Sequence, residues 1–182
     1  MVRLKAQDGL RVLDVGPTSP SNINYLTSLG HSVFMADLIE ESTKPEWIKK
    51  STEEDSPDTY DAAAFIEKHM NFGHRMFDVV LLWDALNYVP EPLVSTVVRR
   101  LHEATVDEGE ILCLFHTRAN EKGSAFCRYH LTDTENIEMQ EYTPHPPMHI
   151  YQNRAIEKLF AEYHFCRLFL AKDNLCEVLV TR

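Results

Sequence analysis

The chain has 182 residues, 44% hydrophobic and 25% charged, proportions that predict one domain with an apolar core and exclude a disordered segment, a collagen or a disulfide-bound mini-protein. Acidic residues outnumber Lys and Arg by 28 to 18, a formal balance of −10, which argues against a nucleic-acid partner and for a small-molecule or protein one. Cys113, Cys127, Cys166 and Cys176 stand singly with no CxxC pair, so they read as buried thiols of a reducing cytoplasm rather than as disulfides or zinc ligands. Residues 1–9 lack an apolar run of signal-peptide length, and no stretch approaches the ~20 apolar residues of a membrane span. A cytoplasmic protein with no membrane contact is expected, a single domain over 1–182.

Apolar runs alternate with helix-period segments as far as about residue 116, the mark of βα units. Residues 11–16 are short, rich in β-branched side chains and closed by Gly-Pro, as a buried parallel strand would be. Ser19-Pro20 places a hydroxyl cap before a proline suited to the first helical position, and the helix should stop at Gly30. Residues 31–37 supply a second strand ending on Asp37. The charged and prolyl stretch 40–57 predicts an exposed flap. A helix is expected over 59–69, with Ala62, Phe65, Ile66 and His69 on one face, and then a central strand over 77–82. Pro92 opens an amphipathic helix carrying Leu93, Val94, Val97, Val98, Leu101 and Ala104 at 3.6-residue spacing; it should end near 107–109, before a strand over 110–115.

The last third reads differently. Residues 126–131 and 137–142 alternate in steps of two around a polar turn, which predicts a β-hairpin insert over 125–143 that could wall a pocket. A helix capped by Asn153 carries Ile156, Leu159, Phe160 and Tyr163 on one face. The final strands, 167–171 and 176–181, are separated by too few residues for a helical crossover and must pair antiparallel.

In open α/β sheets the ligand lies at the carboxyl ends of the strands where the winding reverses. Asp14, Asp37 and Asp84 all fall at such ends. A carboxylate at the tip of the second strand suits a ribose diol; the plainer alternative for Asp37 is a helix cap. The Pro146-Pro147 pair keeps His145 and His149 off one helical face, so no metal site is expected.

With the first strand Val12-Leu13-Asp14-Val15-Gly16, the second from Gly30 to Asp37, the run Phe77-Asp78-Val79-Val80-Leu81-Leu82-Trp83-Asp84-Ala85-Leu86-Asn87-Tyr88, and the ending Tyr151 to Phe160 leading into Val178-Leu179-Val180, the chain resembles class I S-adenosylmethionine-dependent methyltransferases. The resemblance implies a doubly wound, mostly parallel α/β sheet with a C-terminal antiparallel pair, and methyl transfer to a small-molecule or protein acceptor. It further implies that Asp14 and Gly16 line the methionine part of S-adenosylmethionine, that Asp37, with Leu38 beside it, holds the ribose, and that Trp83 and Asp84 border the transfer cleft. Two departures stand out. The loop Gly16-Pro17-Thr18-Ser19-Pro20-Ser21 has one glycine where the family has two or three, so the hydroxyls of Thr18, Ser19 and Ser21 are expected to replace the lost backbone bonds to a carboxylate beside a helix N-terminus. The usual third strand is weak or lost, which makes Trp47, Phe65 and Phe72 the expected adenine-stacking side chains.

Methyl transfer from a sulfonium needs positioning more than acid–base machinery. Where an acceptor must lose a proton, Asp84, His116 and His149 are the groups the topology offers. A methyltransferase-like binding or scaffold module that has lost its cofactor is the alternative, fed by the glycine-poor loop. A nicotinamide enzyme would need a GxGxxG turn, which Gly16 does not open. The sheet edge left by a missing third strand makes a dimer conceivable.

Overall fold

A computed structural model describes residues 2–17, 19–52, 57–118, 125–134, 136–144, 147–170 and 175–182. Its elements run α1 (Val2–Ala6), β1 (Arg11–Val15), α2 (Pro20–Ser28), β2 (Ser32–Ala36), α3 (Ile39–Ser42), a 3-10 turn (Pro45–Trp47), β3 (Ile48–Lys49), β4 (Thr59–Tyr60), α4 (Ala62–His69), β5 (Phe77–Trp83), a second 3-10 turn (Ala85–Asn87), α5 (Glu91–Ala104), β6 (Thr105–His116), β7 (Ala125–Leu131), β8 (Ile137–Pro144), α6 (Asn153–Leu159), β9 (Phe165–Leu170) and β10 (Leu175–Thr181).

Six strands form one sheet in the order β2-β1-β5-β6-β10-β9. The first four are mutually parallel and β10 runs antiparallel to both its neighbours, as the short connection requires. The winding reverses between β1 and β5, so their carboxyl ends flank the expected crevice. No third strand joins the sheet among the described residues; β3 and β4 form a separate ribbon. The hairpin β7–β8 is likewise a sheet of its own.

Strand alternation divides the core. Leu13, Val15, Val80 and Leu82 face the larger cluster, roofed by Phe65 of α4, the α5 stripe and Ile156 of α6. All six apolar residues read onto the α5 stripe are buried, at about 1.5–3 kcal/mol for each larger side chain. Val12, Val79, Leu81 and Trp83 face the other way, under Leu4 of α1, Leu26 of α2 and Tyr129 and Leu131 of the hairpin. The short helix α1 carries no periodic signal and was not expected from the sequence; its burial of Leu4 against the sheet is what orders it.

Four expectations are corrected. The turn at 107–109 does not end α5: the helix stops at Ala104, Thr105 already pairs with Phe77, and the turn is a bulge before Glu110 pairs with Val79. Asn153 is the first residue of α6 rather than its cap; Gln152 holds that place without a side-chain bond. Residues 59–60 belong to β4, and Asp61 caps α4 by accepting from the Ala64 amide at 3.2 Å. Trp47, Phe65 and Phe72 are buried in the larger cluster, where Trp47 packs edge-on to Phe65, so they form no open adenine platform. Of the stretch 40–57, residues 53–56 lie outside the described ones, while Trp47 is anchored by its Nε1 donating to the Glu41 carbonyl at 2.8 Å.

Candidate active site

Alternation along β1 points Asp14 away from the larger core and under the hairpin, where it is 2% exposed. Both its oxygens are filled: Trp83 Nε1 donates to Oδ1 at 2.6 Å and Asn22 Nδ2 to Oδ2 at 3.1 Å. Burial raises its pKa, and these two bonds pull back against that rise. Just beyond β1, Gly16 adopts φ 148°, donates its amide to the Ala36 carbonyl at 2.9 Å and lies against the Trp83 ring. Trp83 itself has φ 49°, a left-handed conformation that costs an L residue about 1–3 kcal/mol and that tends to survive at functional sites.

Asp84 follows as the residue before the Ala85–Asn87 turn and is 1% exposed. Its Oδ2 lies 3.0 Å from His116 Nε2 and accepts from the Tyr129 hydroxyl at 2.7 Å, while its Oδ1 is buried with no hydrogen-bond partner among the described residues. His116, the last residue of β6, is held from behind by its amide donating to Asn87 Oδ1 at 3.2 Å. Tyr88 OH stands 3.3 Å from the same imidazole nitrogen. Burial first and the Asp84 charge second push both Tyr88 and Tyr129 far above the ordinary phenol value, so each keeps its proton. Burial and then Asp84 likewise raise the Cys127 thiol. His149 is elsewhere engaged, its Nε2 3.1 Å from the Val89 carbonyl oxygen, and His145 lies outside the described residues.

The remaining expected cofactor residues sit along the neighbouring tips. Asp37 follows β2 directly and is half-buried, its Oδ1 accepting from the Ile39 amide at 3.1 Å two residues on, while Leu38 holds the N-cap place of α3; burial raises the Asp37 pKa. Leu38 is fully buried in the larger core. Ser19 caps α2 by accepting from the Asn22 amide at 3.2 Å, and its Oγ is 2.8 Å from His130 Nδ1, as is that of Ser21. Thr18 lies outside the described residues.

Asn22, Tyr129 and His130 are among the residues of this site that went unread in the sequence. Asn22 donates to the Tyr129 carbonyl at 3.0 Å and accepts from the Leu131 amide at 2.7 Å, so its side chain pairs with β7 like a strand. Tyr129, 3% exposed, stacks flat on Trp83 with ring centroids 5.2 Å apart. A buried asparagine on an otherwise apolar helix face was the one available signal for this clamp.

The residue types at the tips suit a nucleoside cofactor with a carboxylate, but the cavity bounded there by described residues does not. The cavity bounded by Gly16, Pro17, Ile39, Trp83, Asp84 and Tyr129 holds about 10 Å3, the room of one water, against the several hundred Å3 that a ligand of that size takes. The expected pocket wall thus fills the pocket. A groove of about 790 Å3 lies elsewhere, open to solvent between α5 and α6 beside Arg99, His102, Lys158 and Glu162, with none of the strand-tip carboxylates on it.

In comparison with known proteins, the model of a family described as a methyltransferase domain matches residues 2–166. No curated protein matches the chain. Among solved structures, a SAM-dependent methyltransferase from Methanosarcina mazei superposes with a TM-score of 0.58 at 14% identity, over 100% of this chain and 96% of that one. TehB from Haemophilus influenzae gives 0.54 at 14% identity over 100% of this chain, which spans 60% of TehB's length. The Burkholderia thailandensis 1,6-didemethyltoxoflavin-N1-methyltransferase, solved with 1,6-didemethyltoxoflavin and S-adenosylhomocysteine, gives 0.52 at 14% identity over 100% of this chain and 75% of that one. At such identities the likeness is one of fold: the mostly parallel sheet with its antiparallel C-terminal pair. Among the described residues no helix is long and apolar enough to cross a membrane, and no cluster of His, Cys, Asp or Glu could hold a metal ion.

Proposed function

The chain belongs to the methyltransferase domain family, and on that premise we propose that it carries out S-adenosylmethionine-dependent methyl transfer to a small-molecule acceptor whose proton is taken by the Asp84–His116 pair. The observation that carries this reading is the 3.0 Å contact of His116 with a buried carboxylate at the carboxyl ends of β5 and β6. A carboxylate accepts, so Nε2 donates to Asp84, and this assigns the remaining lone pair of the imidazole to Nδ1. An acceptor hydroxyl or amine that gains a methyl group must lose a proton, and Nδ1 receives it while Asp84 stabilises the imidazolium. Asn87 fixes His116 from behind, and the Tyr129 hydroxyl fixes the carboxylate.

The site residues keep the roles expected of them within this reading. Asp14, Gly16 and Ser19 form the bank nearest the α2 N-terminus, and Asp37 and Leu38 form the β2 bank. An acceptor of small-molecule size agrees with the Burkholderia relative, which was solved with one. The 1–182 stretch acts as a single unit, with the hairpin as its insert and 40–57 as its flap.

The filled crevice favours a second reading, a binding module that keeps the fold and has given up the cofactor. Incubation with methyl-labelled S-adenosylmethionine and a panel of hydroxyl- and amine-bearing small molecules separates the two. We expect label in an acceptor and at least a hundredfold loss in His116→Ala. An absence of label, together with no thermal shift at millimolar S-adenosylhomocysteine, establishes the binding module instead.

A further inference from the structure

We infer that the β7–β8 hairpin is an internal competitor of the cofactor, a plug that must leave the crevice between the β1 and β5 tips before S-adenosylmethionine enters. The inference rests on the cofactor assignment made above. Suitable residue types line a cavity that, among the described residues, is far too small for such a ligand.

The hairpin occupies the crevice as a ligand would. The Tyr129 ring lies flat on Trp83 and its hydroxyl reaches Asp84. The main chain on either side of His130 is gripped by the Asn22 side-chain amide, which donates to the Tyr129 carbonyl and accepts from the Leu131 N–H. His130 itself closes over the N-terminus of α2 through Ser19 and Ser21. Trp83, Asp84 and Ser19 are thus engaged by β7 itself, and Asp14 by Asn22, which holds β7.

It is also separable. β7 and β8 bond to each other, and neither is part of the six-stranded ladder, so lifting the hairpin breaks no rung of the main sheet. Residues 138–142 of β8 are exposed, which leaves β7 as the strand that docks. The closed arrangement carries its own penalty. Two carboxylates, Asp14 and Asp84, are held out of water beneath the hairpin, and Asp84 Oδ1 gains no hydrogen bond in return among the described residues. Opening rehydrates both, so the two states lie closer in free energy than the apolar contacts of Tyr129 and Leu131 alone would set them. A cofactor that binds only the open state then sees its affinity reduced by the open fraction, and loosening the hairpin restores it.

The test combines S-adenosylhomocysteine titration with amide hydrogen exchange on the full chain, for wild type, Leu131→Ala and His130→Ala. Leu131 anchors the hairpin away from the cavity; His130 latches it at the half-exposed rim, and its variant stands in if Leu131→Ala fails to fold. We expect ligand to speed exchange over 126–131 at least tenfold while slowing it at the β1 and β2 tips, and the loosened variant to bind at least threefold tighter. Binding with the hairpin still protected, and no gain in the variants, overturns the plug and leaves methyl transfer standing. No binding by any of the three proteins at millimolar ligand overturns both.

Discussion

On the β1 side of the crevice Asp14 has both oxygens filled, by Trp83 and Asn22, whereas on the β5 side Asp84 shares one oxygen between His116 and Tyr129 and leaves the other without a partner among the described residues. Both carboxylates are buried, so the difference lies in how they are satisfied. Stability alone would select the first arrangement at both places, because an orphaned buried acceptor costs about 1–3 kcal/mol. In the proposed reading, the half-satisfied carboxylate beside a half-buried histidine and the left-handed Trp83 makes the β5 side the bank for chemistry. The β1 bank is built to hold something in place, and what it holds in this state is the hairpin.

The contrast breaks most visibly under Asp84→Asn. The substitution keeps the shape and removes the buried charge, so methyl-transfer rate should fall by about 10^2–10^4 while denaturant stability stays level or rises. Rate and stability falling together would return Asp84 to a structural role. On the β1 bank the opposite is expected: Asn22→Ala strands the Leu131 amide and one oxygen of Asp14, and should lower stability by about 2–4 kcal/mol, read from the urea midpoint.

A third expectation concerns acid. Burial raises the Asp14 pKa above its ordinary 3.8, so between that value and the raised one the folded chain binds more protons than the unfolded chain. This group therefore adds stability as pH falls through its folded value toward 3.8, and removes it as pH rises. Asp14→Asn should flatten that slope without abolishing it, because Asp37 is raised by burial in the same direction. Urea midpoints of both proteins across the acid range measure it, and an unchanged slope would mean that Asp14 is not the desolvated group its surroundings make it.

How much of this was legible from sequence follows from the range of the forces involved. The strand 77–82 and the α5 stripe are set by local periodicity, and both stand where their apolar spacing put them. Asp14 and Asp84 were found because strand ends in this topology converge. The hairpin was legible as two alternating strands, but its docking was not. A register shift between Phe126 and Cys127 lets Phe126 be buried as well as Tyr129 and Leu131, against the two-residue alternation, and the clamp at Asn22 lies 109 residues before Leu131. Trp47 and Phe72 were misread for the converse reason: they stand in polar, loop-like sequence, yet each is drawn into the core by aromatic neighbours, Phe65 for one and Phe77 for the other.

The smallest effect is expected where the two banks meet, at Gly16. A Cβ built there stands 3.7 Å from Trp83 Cδ1, ordinary contact distance, so side-chain space does not oppose Gly16→Ala. What opposes it is φ 148°, a conformation open to glycine and strained for alanine. The expected loss is therefore about 1 kcal/mol, a shift of a few degrees in the thermal midpoint for a chain of this size. A loss of several kcal/mol would exceed that backbone strain and would mean that Gly16, Trp83 and Tyr129 respond together. The two banks would then be one rigid unit, with no independent hairpin to release.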